Sequence, residues 1–238
     1  MRGSRAQARG IAIGLGLAVG LGLAACKQGA EQAAPAERPA ITGTFTDDFE
    51  RSELGPDWHA TSGAFELVNG ALHAQGAFNR PLWLRRALPR DAAIEITVWS
   101  TSPEGDIKVE LYGDGRSFDP DKGSYMSTGY VAVMGGWGNS KSILARRDEH
   151  GEEMASRAAP KVEPGRRYRW RFERSGARLT WYVDDMTAPF LEWTDPRPLE
   201  GDGHQYLAIN NWQSDTWFDD LEIEPLEAAD QAAAPAAP

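Results

Sequence analysis

The amino-acid sequence predicts an all-β domain built as an antiparallel two-sheet β-sandwich. Three observations carry this. Apolar and polar residues alternate with a period of two in segment after segment, and no stretch holds a helical period with caps. The dipeptide Asn69-Gly70 stands between two such segments, the strongest short hairpin signal. Residues 167–174 and 178–184 then form a pair with aromatic residues on one face and charge on the other, the pattern of half-buried antiparallel strands.

Taken in order, residues 66–68 and 71–73 flank the Asn69-Gly70 turn. Residues 93–99 set Ile94, Ile96 and Val98 against Glu95, Thr97 and Trp99. Residues 106–112 set Ile107, Val109 and Leu111 against Asp106, Lys108 and Glu110, which reads as a strand with one solvated charged face. Residues 130–134 are a mostly apolar run ending at Gly135-Gly136; residues 142–147 follow, and 148–151 turn the chain. Tyr168, Trp170 and Phe172 oppose Arg167, Arg169, Arg171 and Glu173, and Ser175-Gly176 leads into Leu179, Trp181 and Val183. Residues 205–210 and 217–223 supply the last strands. Many short strands with Gly, Pro and Asp turns are the mark of a sandwich or barrel.

All nine Trp, six Tyr and eight Phe fall between the two ends of the chain, so the core lies there. Residues 27–42 open on Ala, Pro, Gln and Glu and read as a disordered tether; residues 227–238 have the same character and read as a tail. The domain is expected over residues 43–226.

The first 26 residues are different. Arg2, Arg5 and Arg9 precede an apolar run over residues 11–23 that is too short and glycine-rich for a good membrane span. The run ends at Leu23-Ala24-Ala25-Cys26, which resembles the lipobox of bacterial lipoproteins. That resemblance implies removal of the signal segment, lipidation of Cys26 and attachment to the cell envelope by three acyl chains, enough for stable anchoring. Lys27 in place of an Asp points to the outer rather than the inner membrane. Cys26 is the one cysteine in 238 residues, so no internal disulfide forms and lipidation accounts for the odd thiol. The formal net charge is -10, and -13 once the three leader arginines are removed. Such a chain repels phosphates, which excludes nucleic acid as a partner.

Phe45-Thr46-Asp47-Asp48-Phe49-Glu50, the stretch 54–58, and the closing Trp217-Phe218-Asp219-Asp220-Leu221-Glu222-Ile223 resemble the concanavalin A-like lectin/glucanase (LamG-like) jelly rolls. The resemblance covers residues 43–225 and implies first and last strands side by side, with a concave sheet where sugars lie. The middle of the chain, from Thr128 to Gly151, is similar to exported bacterial jelly-roll domains of unassigned role. Fold alone does not fix function, so the site must be argued from residues.

Four constellations could carry chemistry. Trp137 and Asn139 among glycines, and Asn210 and Trp212 together, pair an indole with an amide; these suit a sugar ring, with Tyr130, Arg146 and Trp99 as additions. Alternatively these Trp belong to the core. Asp106 and Glu110, after Glu104, come near a glucanase motif but with one residue too many; the plain alternative is a solvated charged face. Glu149 and His150 could serve as base or ligand, although they sit in a hairpin turn; Tyr130, Arg146 and His150 could assemble a lyase. Asp114, Asp119 and Asp121 form a polar loop suited to a structural calcium ion, without EF-hand spacing. No phosphate-binding glycine loop, nucleophile elbow or zinc pattern is present, so no other cofactor is implied.

The reading is a lipid-anchored jelly roll that binds a glycan. A glycoside hydrolase or polysaccharide lyase on the same fold is the first alternative, and a non-catalytic protein-interaction module of the envelope is the second. An enzyme predicts a titratable group with a shifted pKa in a cleft. A lectin predicts exposed aromatic rings without one, and an interaction module predicts that Trp137 and Trp212 are both buried.

Overall fold

The computed structural model describes residues 38–116, 126–152 and 154–227. Cys26, Asp119 and Asp121 lie outside the described residues. In chain order the strands are β1 (Phe45–Asp47), β2 (Trp58–Ala60), β3 (Phe65–Val68), β4 (Ala71–Gln75), β5 (Leu82–Leu84), β6 (Ala92–Ser100), β7 (Ile107–Gly113) and β8 (Tyr130–Gly135). A short turn, α1 (Gly136–Asn139), leads to β9 (Lys141–Arg146), β10 (Met154–Arg157), β11 (Tyr168–Ser175), β12 (Arg178–Val183), β13 (Leu191–Thr194), β14 (Tyr206–Asn210) and β15 (Asp215–Pro225).

These strands form two antiparallel sheets, as the alternation predicts. One runs β13-β12-β11-β6-β15-β4-β3, with β1 also on β15; the other runs β10-β9-β8-β7-β14-β5-β2. One edge of β15 holds two partners: residues 215–218 pair with β4 and residues 221–223 with β1. The first and last strands therefore lie side by side, with Phe45 opposite Ile223 and Asp47 opposite Leu221. Asn69 and Gly70 take φ of 52° and 78°, so the β3–β4 hairpin closes on the left-handed pair that a two-residue turn of this hand requires.

Between the sheets, Tyr168, Trp170 and Phe172 of β11, Trp181 of β12 and Phe218, Leu221 and Ile223 of β15 pack with Val109, Leu111, Met134, Leu144 and Ile209 of the other sheet. Trp170 and Trp181 meet edge to face at 4.8 Å, a favoured arrangement of aromatic rings. Packing begins upstream of the expected boundary at residue 43. The Ile41 N–H donates to Ala87 O at 2.9 Å, and its side chain is buried.

The charged face expected on residues 106–112 is not solvated. β7 is the central strand of its sheet and is buried on both sides, with Lys108 and Glu110 each only 1% exposed. On the same outer side, Val131, Val133, Ile143 and Ala145 form a second, smaller apolar cluster with Met154. Polar residues can occupy such a place only if each finds a partner, and those partners shape the site.

Candidate functional site

The nine Trp divide by location. Trp58, Trp83, Trp170 and Trp181 are buried, Trp99, Trp193 and Trp217 are half-buried, and Trp137 and Trp212 are exposed at 43% and 46%. Among the described residues, the exposed large hydrophobic side chains are these two and Phe78. Trp137 and Trp212 line one cleft of about 670 Å³ at the start of β7, and Phe78 packs edge to face on Trp212 at 5.1 Å.

The turn α1 holds Trp137 up. Gly135, Trp137, Gly138 and Asn139 all take left-handed φ, between 51° and 70°. For Trp137 this is costly, and the surrounding contacts must enforce it. Asn139 does so: its Nδ2 donates to Pro103 O at 3.0 Å and Val162 O at 2.7 Å, while its Oδ1 accepts the Val162 N–H at 2.8 Å. Gly105 lies beneath, and a Cβ there would sit 2.7 Å from Gly135 O, so only glycine fits. The Lys141 ammonium lies 5.0 Å from the Trp137 ring centre, and His150 meets that ring edge-on at 5.7 Å.

Trp212 is fixed by its neighbours. Asn211 is buried, accepts the Ala77 N–H at 2.9 Å and donates to Ala74 O, Ser214 O and Thr216 Oγ1, each at 2.8 Å. Trp212 donates its own N–H to Asp106 Oδ2 at 2.6 Å and accepts the Phe78 N–H at 2.9 Å.

The floor is polar. Lys108 Nζ sits 2.7 Å from Glu149 Oε2 and donates to Asn79 Oδ1 at 2.7 Å. Glu149 is itself buried, and its other oxygen lies 3.6 Å from His150 Nε2. Burial pushes the Asp106 carboxyl above the ordinary value; the Lys108 ammonium and the Trp212 N–H oppose this, and the nearby Glu149 charge adds to it. The cleft thus presents exposed aromatic rings together with a titratable group of raised pKa.

Of the residues singled out from the sequence, Trp137, Trp212, Glu104, Asp106, Glu149 and His150 meet in this cleft. The others do not. Tyr130 is buried; its hydroxyl donates to Asp195 Oδ2 at 2.8 Å and accepts the Leu199 N–H at 2.8 Å, and burial pushes its pKa up to about 12. Arg146 binds the same Asp195 oxygen at 3.1 Å, so neither residue joins His150 in a lyase arrangement. Asn139 and Asn210 are both buried; Asn139 serves the turn, and Asn210 accepts the Asn211 N–H at 2.9 Å. Trp99 lies on the other sheet, stacked on Trp217 at 5.7 Å beneath Arg167. Glu110 accepts the N–H groups of Thr128 and Gly129 and the Thr128 hydroxyl, so it is not the second carboxylate of a pair with Asp106. Asp114 accepts the Arg116 N–H at 3.0 Å, and among the described residues no group of three metal-ligating side chains comes together.

Sequence reading missed Lys108, Asn79 and Phe78. The signal was available for two of them, since Phe78-Asn79 repeats the pairing of aromatic and amide found at Trp137 and Trp212.

No family model and no curated protein matches the chain. Solved structures do. The chain is similar to the carbohydrate binding module CBM66 from Bacillus subtilis (16% identity, TM-score 0.53, covering 71% of this chain and 95% of that one). It is also similar to the exoplasmic/lumenal domain of VIP36 in its Ca2+/Man3GlcNAc-bound form (12% identity, TM-score 0.58, 80% and 91% covered). A third similar structure is a protein of unknown function with a galectin-like fold from Bacillus subtilis (12% identity, TM-score 0.55, 76% and 94% covered). The fold is that of the concanavalin A-like and galectin-like jelly rolls.

Proposed function

We propose that this protein is a glycan-binding jelly roll held at the bacterial cell envelope by lipidated Cys26, with the sugar lying between Trp137 and Trp212. One observation carries the reading: the exposed large aromatic side chains of the described domain gather at a single cleft instead of scattering over the surface. Apolar ring faces beside a few fixed polar groups suit a ligand with both C–H faces and hydroxyls, and the volume falls in the range of small-molecule sites. An interaction module without a ligand gives no reason to hold Trp137 in a strained turn at the edge of a cleft. The similar structures add support, since one is a carbohydrate binding module and another is a sugar-bound lumenal domain.

A hydrolase is the second reading, favoured by the raised pKa of Asp106 and its place beside Glu149. Two contacts speak for binding instead. Glu149 is held by Lys108, and one Asp106 oxygen is held by the Trp212 N–H, so neither carboxylate stands ready as a nucleophile. Asp114 lies just past the end of β7 away from the cleft, and calcium takes no part in this reading.

Two experiments test the proposal. Printed glycans are probed with the detergent-solubilised full chain and hits are rechecked by a reducing-end assay: binding without new reducing ends supports the lectin, and new ends lost in Asp106→Asn support the hydrolase. Expression of the full chain in a Gram-negative host, with and without Cys26→Ser, tests the anchor. Retention of the wild type in the outer-membrane fraction and release of the variant support it; equal partition of the two overturns it.

A further inference from the structure

The charges lining the cleft point to the class of sugar it takes. This inference rests on the glycan reading. The titratable side chains around the cleft are Glu104, Asp106, Glu149, Lys108 and His150. Three carboxylates therefore stand against one ammonium. That ammonium is out of reach, because the Lys108 side chain is 2% exposed and is engaged by Glu149 and Asn79 at 2.7 Å each. Lys141 lies over the Trp137 ring but is not among the lining residues. Among the described lining residues a ligand thus meets acceptor oxygens and no accessible ammonium or guanidinium, while the half-buried Lys141 is taken up against the Trp137 ring. Arg38, Arg85 and Arg116 gather around a separate hollow at the other end of β7 and β14.

We infer that the cleft selects neutral and amine-bearing sugars and rejects uronic, sialylated and sulfated ones. A sugar carboxylate brought within about 6 Å of Asp106 adds a like charge where partial burial weakens solvent screening, while Glu149 is already offset by Lys108. An amine in the same place gains from Asp106, and a hydroxyl or acetamide N–H can donate to the acceptor oxygens of that carboxylate. The net charge of -10 over the whole chain acts in the same direction at long range.

The test is a printed array holding neutral, amino, uronic, sialylated and sulfated oligosaccharides, probed with the detergent-solubilised full chain at low and high salt. Trp212→Ala identifies hits that use the cleft. The inference expects cleft-dependent hits among neutral and amino sugars, with acidic relatives of the same linkage at least about tenfold weaker at low salt. It expects that gap to narrow at high salt and in Asp106→Asn. Acidic hits as strong as neutral ones, and lost in Trp212→Ala, overturn the inference and leave the glycan reading standing. Absence of any cleft-dependent hit overturns the glycan reading, and the inference falls with it.

Discussion

Replacing Lys108 with methionine removes a buried cation from the floor of the cleft while keeping most of its volume. In the native protein this side chain is 2% exposed and Glu149 opposite is 8% exposed, so water cannot take over the lost role. The variant strands a buried carboxylate and takes a donor from Asn79 Oδ1. Breaking a buried pair from one side costs about 3–5 kcal/mol, which corresponds to a fall in Tm of roughly 6–20 °C for a domain of this size. Glu149→Gln in the same background removes the stranded charge and recovers much of the loss, giving a coupling of about 2 kcal/mol in the double-mutant cycle. Urea unfolding of the four proteins followed by tryptophan fluorescence measures this. A loss below about 1 kcal/mol for Lys108→Met, or strict additivity in the cycle, would refute the claim that the pair is desolvated and mutual.

Three further outcomes follow from the same geometry. Asp106 has a raised folded pKa, so its ionised form weakens the fold as pH rises above the ordinary value of 3.8; Asp106→Asn melts higher than wild type at pH 7, and the difference closes below that value in a pH series of melting curves. Asp47 is the opposite case: burial pushes its carboxyl up, but Arg51, the Trp58 indole and the Phe49 N–H outweigh this and leave it lowered. Its contribution is therefore present above pH 3.8 and lost as pH falls through the lower folded value. Asp47→Ala costs about 2 kcal/mol near neutrality and progressively less in acid, as read by urea titration at several pH values. Asn139→Ala strips three hydrogen bonds from the left-handed turn and costs about 2 kcal/mol; glycan binding weakens as Trp137 loses its support, although Asn139 lies outside the cleft lining, and calorimetry separates the two effects.

The long strands were legible in the sequence because their alternation is strict: Tyr168, Trp170 and Phe172 point inward and their arginine neighbours outward, as the pattern predicts. The three- and four-residue strands β2, β5, β10 and β13 were not, since no period can be read from so few residues. The site was half legible. The glycine-flanked Trp137 and the Asn-Trp dipeptide mark positions where the backbone needs unusual φ or a buried amide. Which amide does which work depends on tertiary partners; Asn211 turned out to organise the Trp212 loop, with Asn210 beside it on β14. Lys108 was hidden for a physical reason: a charged residue alternating with Ile107 and Val109 reads as solvated unless the partner that buries it, Glu149, is known to lie across the sheet.

The most direct test of the central claim is calorimetric titration of the strongest glycan from the array into wild type, Trp137→Ala, Trp212→Ala and Trp99→Ala, with circular dichroism confirming that each is folded. Loss of an aromatic anchor from a binding site costs about 2 kcal/mol, or about thirtyfold in affinity. The account predicts a loss of that size for Trp137→Ala and Trp212→Ala and wild-type affinity for Trp99→Ala, whose ring lies on the other sheet. Wild-type affinity in both cleft variants, or an equal loss in Trp99→Ala, would contradict it.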